Sequence, residues 1–470
     1  MKGDRYFGSP RLSGGPVRLA VPCGLAPLVL ALLASQVPAQ ELSAEYRRLW
    51  NDPALQQKID RNIRAHRLGD ATVELVGPGG APAAGAQVEI EQLGHEFLFG
   101  CNAFVLGQLA TPEKNRLYEE RFARLFNFAT VPFYWEGTEP AQGELRYAEG
   151  GRDMWRRPPA DRYLPFAKRH GLTLKGHPLL WHAYNPPWLP ADADALRRLY
   201  QKRFSEIASR YAESIQVWDV VNESLVCGKQ YPLYTPDRSY VAWAFREAAA
   251  RFRPGNVLMI NEVTEVAHEP GPGNRYWAQI RGLLDQGVRI DGIGFQFHLM
   301  SESSYRGVIE GRRLTPQQLY EAYERFSAFG KPLYVTEITV PQSGEAPQGE
   351  RVQAELVANL YRLWFSVPQM AGITWWNLAE GTAVAKENKH RGGLLDEQLH
   401  PKQAYRALEQ WICRDWRTRL SGQTDAQGRL AFRGFYGRYR VTVESPHGKR
   451  QHEIRLAQGQ PHVFRLSVSP

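Results

Sequence analysis

Cysteine is scarce in this chain, with four residues in 470. Cys23 lies near the N-terminus, and Cys101, Cys227 and Cys413 are spread irregularly over the remainder. An odd, unevenly spaced set of three excludes a disulfide-stapled scaffold and a zinc-finger pattern, leaving room for one disulfide and a free thiol. A His-Glu-x-x-His zinc motif is also missing. His177 and His182 stand five apart on a strand-to-loop segment, a spacing that suits polar contacts better than a shared metal. Long apolar runs are lacking too. LAPLVLALLA extends for about ten residues, half of the ~20 that a membrane-crossing helix requires. Basic residues outnumber acidic ones, 58 to 49, for a formal net charge of +9, yet they are scattered and form no stripe. Nucleic acid is therefore excluded as the natural partner, while mild attraction to an acidic polysaccharide is compatible with the charge.

What is present begins with a leader. A basic, Gly/Pro-rich stretch, the apolar decamer and Val37-Pro38-Ala39 read as a secretory signal over residues 1–39, cleaved near Ala39. Cys23 precedes the apolar core, which argues against a lipid anchor. The expectation is a secreted or periplasmic protein, free of the membrane after cleavage and monomeric.

Beyond the leader, DPALQQKIDRNIRAHR spaces Leu55, Ile59 and Ile63 four apart, as an amphipathic helix does. It forms a helical lead-in over residues 40–69. ATVELVGPGGAPAAGAQVEIEQL then reads as a β-hairpin over residues 70–95. Two strands alone are marginal in water, so they need more sheet. Residues 417–470 offer it, as short alternating strands between Asp/Gly/Pro turns. Together the flanks predict a small accessory β-sandwich.

Between them, over residues 96–416, eight apolar segments alternate with helical ones: FLFGCNA, FNFATVPF, LTLKGHPLL, SIQVWDVVN, NVLMINEV, GIGFQFHL, PLYVTEITV and MAGITWWNL. Helical patterns include ADALRRLYQKRFSEIASRYA, TPQQLYEAYERFSAFG and ERVQAELVANLYRLWFSV. This alternation predicts an α/β fold, a (β/α)8 TIM barrel. Such barrels carry their working residues at the C-terminal strand ends. Those ends hold His177 and Trp181, Asn222 and Glu223, Gln296 and His298, Glu337, and Trp376. Two glutamates on strands four and seven, on opposite sides of the ring, suit glycoside hydrolysis, in which one carboxyl protonates the leaving oxygen while the other attacks or activates water. Thirteen Trp, 21 Tyr and 20 Phe serve the core first, and some suit the faces of sugar rings.

The segments LKGHPLLWHAYNPPWL, WDVVNES, GIGFQFHL, VTEITV and GGLLDEQLHPKQAY resemble, in order, those of glycoside hydrolase family 10, retaining endo-β-1,4-xylanases of (β/α)8 fold. The resemblance implies Glu223 as acid/base and Glu337 as nucleophile. It implies Asn222 on the sugar 2-hydroxyl and His298 on Glu337, with His177, Trp181, Gln296 and Trp376 lining the subsites beside the cleavage point. No cofactor and no metal are implied, and the partner is a xylan-like polysaccharide. Asp219 reads as a buried network residue and Glu262 as structural.

Three departures stand out. On strand two the family carries Glu-Asn-x-x-Lys-Trp, whose polar residues grip the sugar, where this chain has the aromatic TVPFYW. Thr339 stands where an Asp commonly follows the nucleophile by two, and Val384 replaces a loop tryptophan. The expected activity is a retaining endo-β-glycanase acting on β-1,4-xylan or a xylan-like polymer. The alternatives are a retaining hydrolase of another β-linked glycan or decorated oligosaccharide, and a non-catalytic carbohydrate-binding barrel.

Overall fold

The computed structural model describes residues 41–445, 448–460 and 462–468. The leader expected over residues 1–39 lies outside them. The chain enters through helices α1 (Ala44–Trp50) and α2 (Pro53–Arg67). α2 starts where Asp52 caps Ala54 N at 2.7 Å and Pro53 supplies a helix-ready φ. Its Ile59 and Ile63 face inward. At its last residue the buried Arg67 donates to the carbonyls of Phe365 (2.6 Å) and Val367 (2.5 Å) and lies over the rings of Phe97 and Phe365.

β1 (Leu68–Val76) and β2 (Gln87–His95) follow. The next strands are β3 (Leu98–Asn102), β4 (Phe128–Pro132), β5 (Thr173–His177), β6 (Leu180–Trp181) and β7 (Val217–Asn222). After them come β8 (Val257–Glu262), β9 (Gly292–His298), β10 (Leu333–Thr339) and β11 (Met370–Trp375). From β3 to β11 every pairing is parallel, in the order β5-β4-β3-β11-β10-β9-β8-β7, and β5 pairs with β7 to close the ring. The eight expected segments are the eight barrel strands. β6 is a two-residue addition that pairs with the end of β7, Trp181 beside Asn222. The runs are apolar throughout because side chains fill the interior and helices cover the outside. Gly176 is required within β5, since a Cβ there would lie 2.2 Å from the buried indole of Trp218.

The covering helices follow their patterns. Ala193–Tyr211 is capped by Asp192 and buries Leu196, Tyr200, Phe204, Ile207 and Tyr211 along one stripe. Pro316–Ser327 opens with a Thr315–Gln318 capping box, and Gln348–Ser366 buries Leu356, Leu360 and Trp364.

β12 (Arg419–Gln423), β13 (Arg429–Phe435), β14 (Gly437–Ser445), β15 (Gly448–Leu456) and β16 (Val463–Ser467) complete two further sheets. Their orders are β13-β1-β16 and β12-β2-β14-β15. Val73, Leu75, Val88, Ile90, Tyr439, Val441 and Leu456 form their shared core. The expected hairpin is corrected here: β1 and β2 do not pair with each other but enter different sheets. The ten residues from Gly77 to Ala86 cross between the layers instead of turning within one. A Gly/Pro connection reads the same way for either path, and burial of both strands on the common core decides it.

β2 ends at His95 and β3 begins at Leu98, so the accessory domain adjoins the N-terminal ends of the barrel strands. Phe365 stacks on Trp416 there at 4.3 Å between centroids. The opposite end, at the C-terminal ends of the strands, opens into a cleft. Among the described residues, Cys101, Cys227 and Cys413 form no disulfide with one another. Among the described residues no helix is long and apolar enough to cross a membrane.

Candidate active site

At the C-terminal end of the barrel one cleft gathers His177, Trp181, Asn222, Glu223, Gln296, His298, Glu337 and Trp376. Every site residue expected from the sequence therefore faces one space.

Glu223 is the first residue past β7 and adopts φ 56°, a left-handed conformation that a non-glycine residue holds only when its surroundings enforce it. Its N–H donates to Asn261 O at 2.9 Å. Glu262, at the end of β8, accepts from Leu225 N and Val263 N, each at 2.9 Å, and so ties the same turn to the neighbouring strand. The Glu223 carboxyl accepts from Gln296 Nε2 at 2.9 Å and Trp181 Nε1 at 3.1 Å. Burial raises its pKa, the Gln296 hydrogen bond opposes this, and the nearby Glu337 charge raises it further, leaving a net upward shift.

Glu337 lies in β10 and is 4% exposed. Its Oε1 accepts from Asn261 Nδ2 at 2.9 Å, and its Oε2 lies 3.2 Å from His298 Nε2. His177 Nε2 approaches Oε1 to 3.9 Å. Burial opposes its ionisation. The fields of His177, His298 and Lys175 and the His298 hydrogen bond outweigh burial, so its pKa falls below the ordinary carboxylate value. The two glutamates are thus pushed in opposite directions, one toward a protonated acid and the other toward an anion.

His177 is set by Asp219, whose Oδ2 lies 2.6 Å from Nδ1, and Lys175 Nζ reaches the same oxygen at 3.0 Å. Asp219 is fully buried in β7. It acts through His177 and Lys175 and does not touch the cleft.

Asn222 Oδ1 accepts from Asn261 Nδ2 (2.9 Å) and Gln296 Nε2 (3.5 Å), while its own Nδ2 is buried without an acceptor. His177 Nε2 likewise has no hydrogen-bond partner. The Asn222 amide donor and the second nitrogen of His177 are thus free to meet polar groups of a ligand in the cleft. Trp376 packs edge-on to His177 and His298 and forms a wall of the cleft.

The expected family pattern extends along the chain. Residues 110–411 match the model of glycosyl hydrolase family 10. The chain belongs to that family. Endo-1,4-beta-xylanase B of Paenibacillus barcinonensis is 27% identical over 328 residues, covering 65% of this chain and 94% of that protein. The anti-sigma-I factor RsgI6 of Acetivibrio thermocellus is 25% identical over 426 residues and 87% of this chain, which spans 49% of that relative's length. Among solved structures, xylanase 10B of Thermotoga petrophila RKU-1 in complex with xylobiose superposes with a TM-score of 0.57 at 25% identity. That match covers 68% of this chain and 95% of that one.

Within this family 10 barrel, the departures acquire physical content. Thr339 Oγ1 lies 3.0 Å from His298 Nδ1, so a neutral hydroxyl orients the imidazole where the pattern has a carboxylate. Thr130 and Val131 of TVPFYW are fully buried, while Tyr134 reaches the cleft, edge-on to His177. Val384 lines the cleft as well.

Sequence reasoning missed Asn261. One amide joins Asn222, Glu337 and, through its oxygen, Thr336 Oγ1 at 2.6 Å. Its only local mark was a strand-end position next to Glu262. Arg156 and Arg157, from the loop between β4 and β5, were missed too, because nothing local in that loop points to the mouth.

Proposed function

We propose that this chain is a retaining endo-β-glycanase that hydrolyses β-1,4-xylan or a xylan-like polymer by double displacement. The opposed environments of Glu223 and Glu337 carry the reading. Glu337 attacks the anomeric carbon, and the Glu223 proton passes to the departing glycosidic oxygen as the C–O bond breaks. The product of this step is a glycosyl ester of Glu337. With the Glu337 charge consumed, Glu223 loses the repulsion that held its proton and takes one from water, whose oxygen displaces the ester. Asn222 Nδ2 donates to the sugar 2-hydroxyl, and Asn261 and His298 hold the nucleophile ionised and aimed.

The relatives whose names specify xylan support the substrate class. The leader pattern over residues 1–39 supports export to the periplasm or medium, and the enzyme is taken to act there as a monomer. TVPFYW favours a second reading in which the same chemistry serves a decorated oligosaccharide or another β-linked glycan.

A panel of β-1,4-xylan, decorated xylans, β-glucan and mannan, read by reducing-end release and product sizing, tests the proposal. Internal cleavage of xylan is the expected result. Turnover of a different glycan with xylan untouched would transfer the assignment to the second reading.

A further inference from the structure

The family pattern on strand two places a lysine one residue before the tryptophan, and this chain has Tyr134 there. The cation has not been lost from the cleft. Arg157, arriving from the loop between β4 and β5, centres its guanidinium 3.9 Å from the Tyr134 ring centroid. The seat for it is built. A Cβ on Gly137 would lie 2.7 Å from Arg157 Cδ, so the glycine in WEGTEP makes room for the arginine stem. Arg146 Nη2 holds the Arg157 carbonyl at 3.1 Å.

The charges around this seat do not balance evenly. Arg156, the adjacent cation, is engaged: Nη1 donates to Asn377 Oδ1 at 2.7 Å and to Thr382 O. Glu387, held by Asn377 Nδ2 at 2.9 Å, lines the same cleft. Arg157 is 9% exposed, yet its Nη1 donates only to the neighbouring Arg156 carbonyl, at 3.0 Å. Its Nε is buried with no acceptor, and its Nη2 has only a 3.9 Å approach to Glu136, whose side chain is 38% exposed. A desolvated guanidinium fork with no carboxylate within hydrogen-bond distance is costly unless a ligand supplies one. A neutral pentose has no need of it.

We infer that Arg157, seated on Tyr134, is a specificity residue that binds the carboxylate of a uronic acid carried by the substrate at the subsite served by strand two. This rests on the glycanase reading above. The planar fork takes a carboxylate through two parallel N–H···O bonds, which a lysine cannot do. The carboxylate has two sources, a uronic acid branch on the xylose chain or a uronic acid within the main chain.

The test compares steady-state kinetics of the wild type, Arg157→Met, Arg157→Lys and Gly137→Ala on four probes. These are a linear xylo-oligosaccharide, the same chain with a glucuronic acid branch, the methyl ester of that branched chain, and an oligosaccharide with a main-chain uronate. For one of the two acid forms, the wild type should show a kcat/KM at least tenfold above its neutral counterpart, the branched chain being judged against its methyl ester. Arg157→Met should lower that ratio at least tenfold, mainly through KM. Arg157→Lys should restore only part of it, and Gly137→Ala, which displaces the arginine while keeping it, should lower it too. Which acid probe responds identifies the source. No preference for either acid form over its neutral counterpart, or equal losses on all probes, overturns the inference and leaves the glycanase reading standing. Turnover of no probe overturns both.

Discussion

The side-chain amide of Gln296 donates to Glu223 Oε1 at 2.9 Å. That bond favours the ionised carboxylate and works against burial and the Glu337 charge, which both favour the acid. Removing it therefore strengthens the proton's hold. In Gln296→Ala the alkaline limb of the kcat/KM profile should move to higher pH, with the acid limb, set by Glu337, moving much less. A pH–rate series on an aryl xyloside with a poor leaving group checks this. A shift of the alkaline limb to lower pH would contradict the assignment of the proton to Glu223.

Asn261 Nδ2 donates both to Glu337, the proposed nucleophile, and to Asn222, proposed to meet the sugar. Asn261→Ala withdraws a hydrogen bond from the Glu337 anion, so the acid limb should rise in pH and kcat should fall by about tenfold or more. The Thr336 hydroxyl loses its acceptor and the Asn222 oxygen its shorter donor as well, a cost of ~1–3 kcal/mol in stability. Chemical denaturation alongside the kinetics separates the two effects.

Asp219 holds Lys175 and His177 in a buried cluster. Burial raises the Asp219 pKa, and the Lys175 charge with the His177 hydrogen bond more than reverses this, so the folded value lies below the ordinary one. The stability this contributes is present above the unfolded-state pKa and is lost as pH falls through the folded one. Asp219→Ala leaves the buried Lys175 ammonium without its counter-ion and His177 Nδ1 without its acceptor, and should cost ~3–5 kcal/mol. The double variant Asp219→Leu with Lys175→Met should recover part of that loss, as measured by urea midpoints.

Glu262 behaves in the opposite sense. Burial raises its pKa to about 7, with the Leu225 and Val263 N–H groups pulling against it. A carboxyl raised on folding stabilises the fold below its unfolded value near 4.5, and this contribution is lost as pH rises through 7. Between pH 5 and 8 the wild type should therefore lose more stability than Glu262→Gln, by up to about 3 kcal/mol. Urea midpoints at the two pH values provide the comparison.

The barrel was legible in the sequence because its strands are buried on both faces, which writes them as unbroken apolar runs ending in polar residues. Glu223 and Glu337 were legible for the same reason, as carboxylates where such a run stops. The Asn261 amide was not. Its partners Asn222, Thr336 and Glu337 come from two other strands, and no local pattern encodes a hydrogen bond across a barrel. Arg157 was hidden similarly, in a loop whose path to the mouth depends on the room left at Gly137. The β1–β2 connection misled because a Gly/Pro-rich link allows both a turn within one sheet and a crossing between two.

In the proposed double displacement Glu337 forms a covalent glycosyl ester and Glu223 serves it as acid and then as base. Time-resolved proton NMR of the first products from a β-linked xylo-oligosaccharide reads this directly. Two inversions predict that the newly formed reducing ends appear first as β-anomers, with α-anomers growing in only through mutarotation. Initial α-anomers would contradict double displacement.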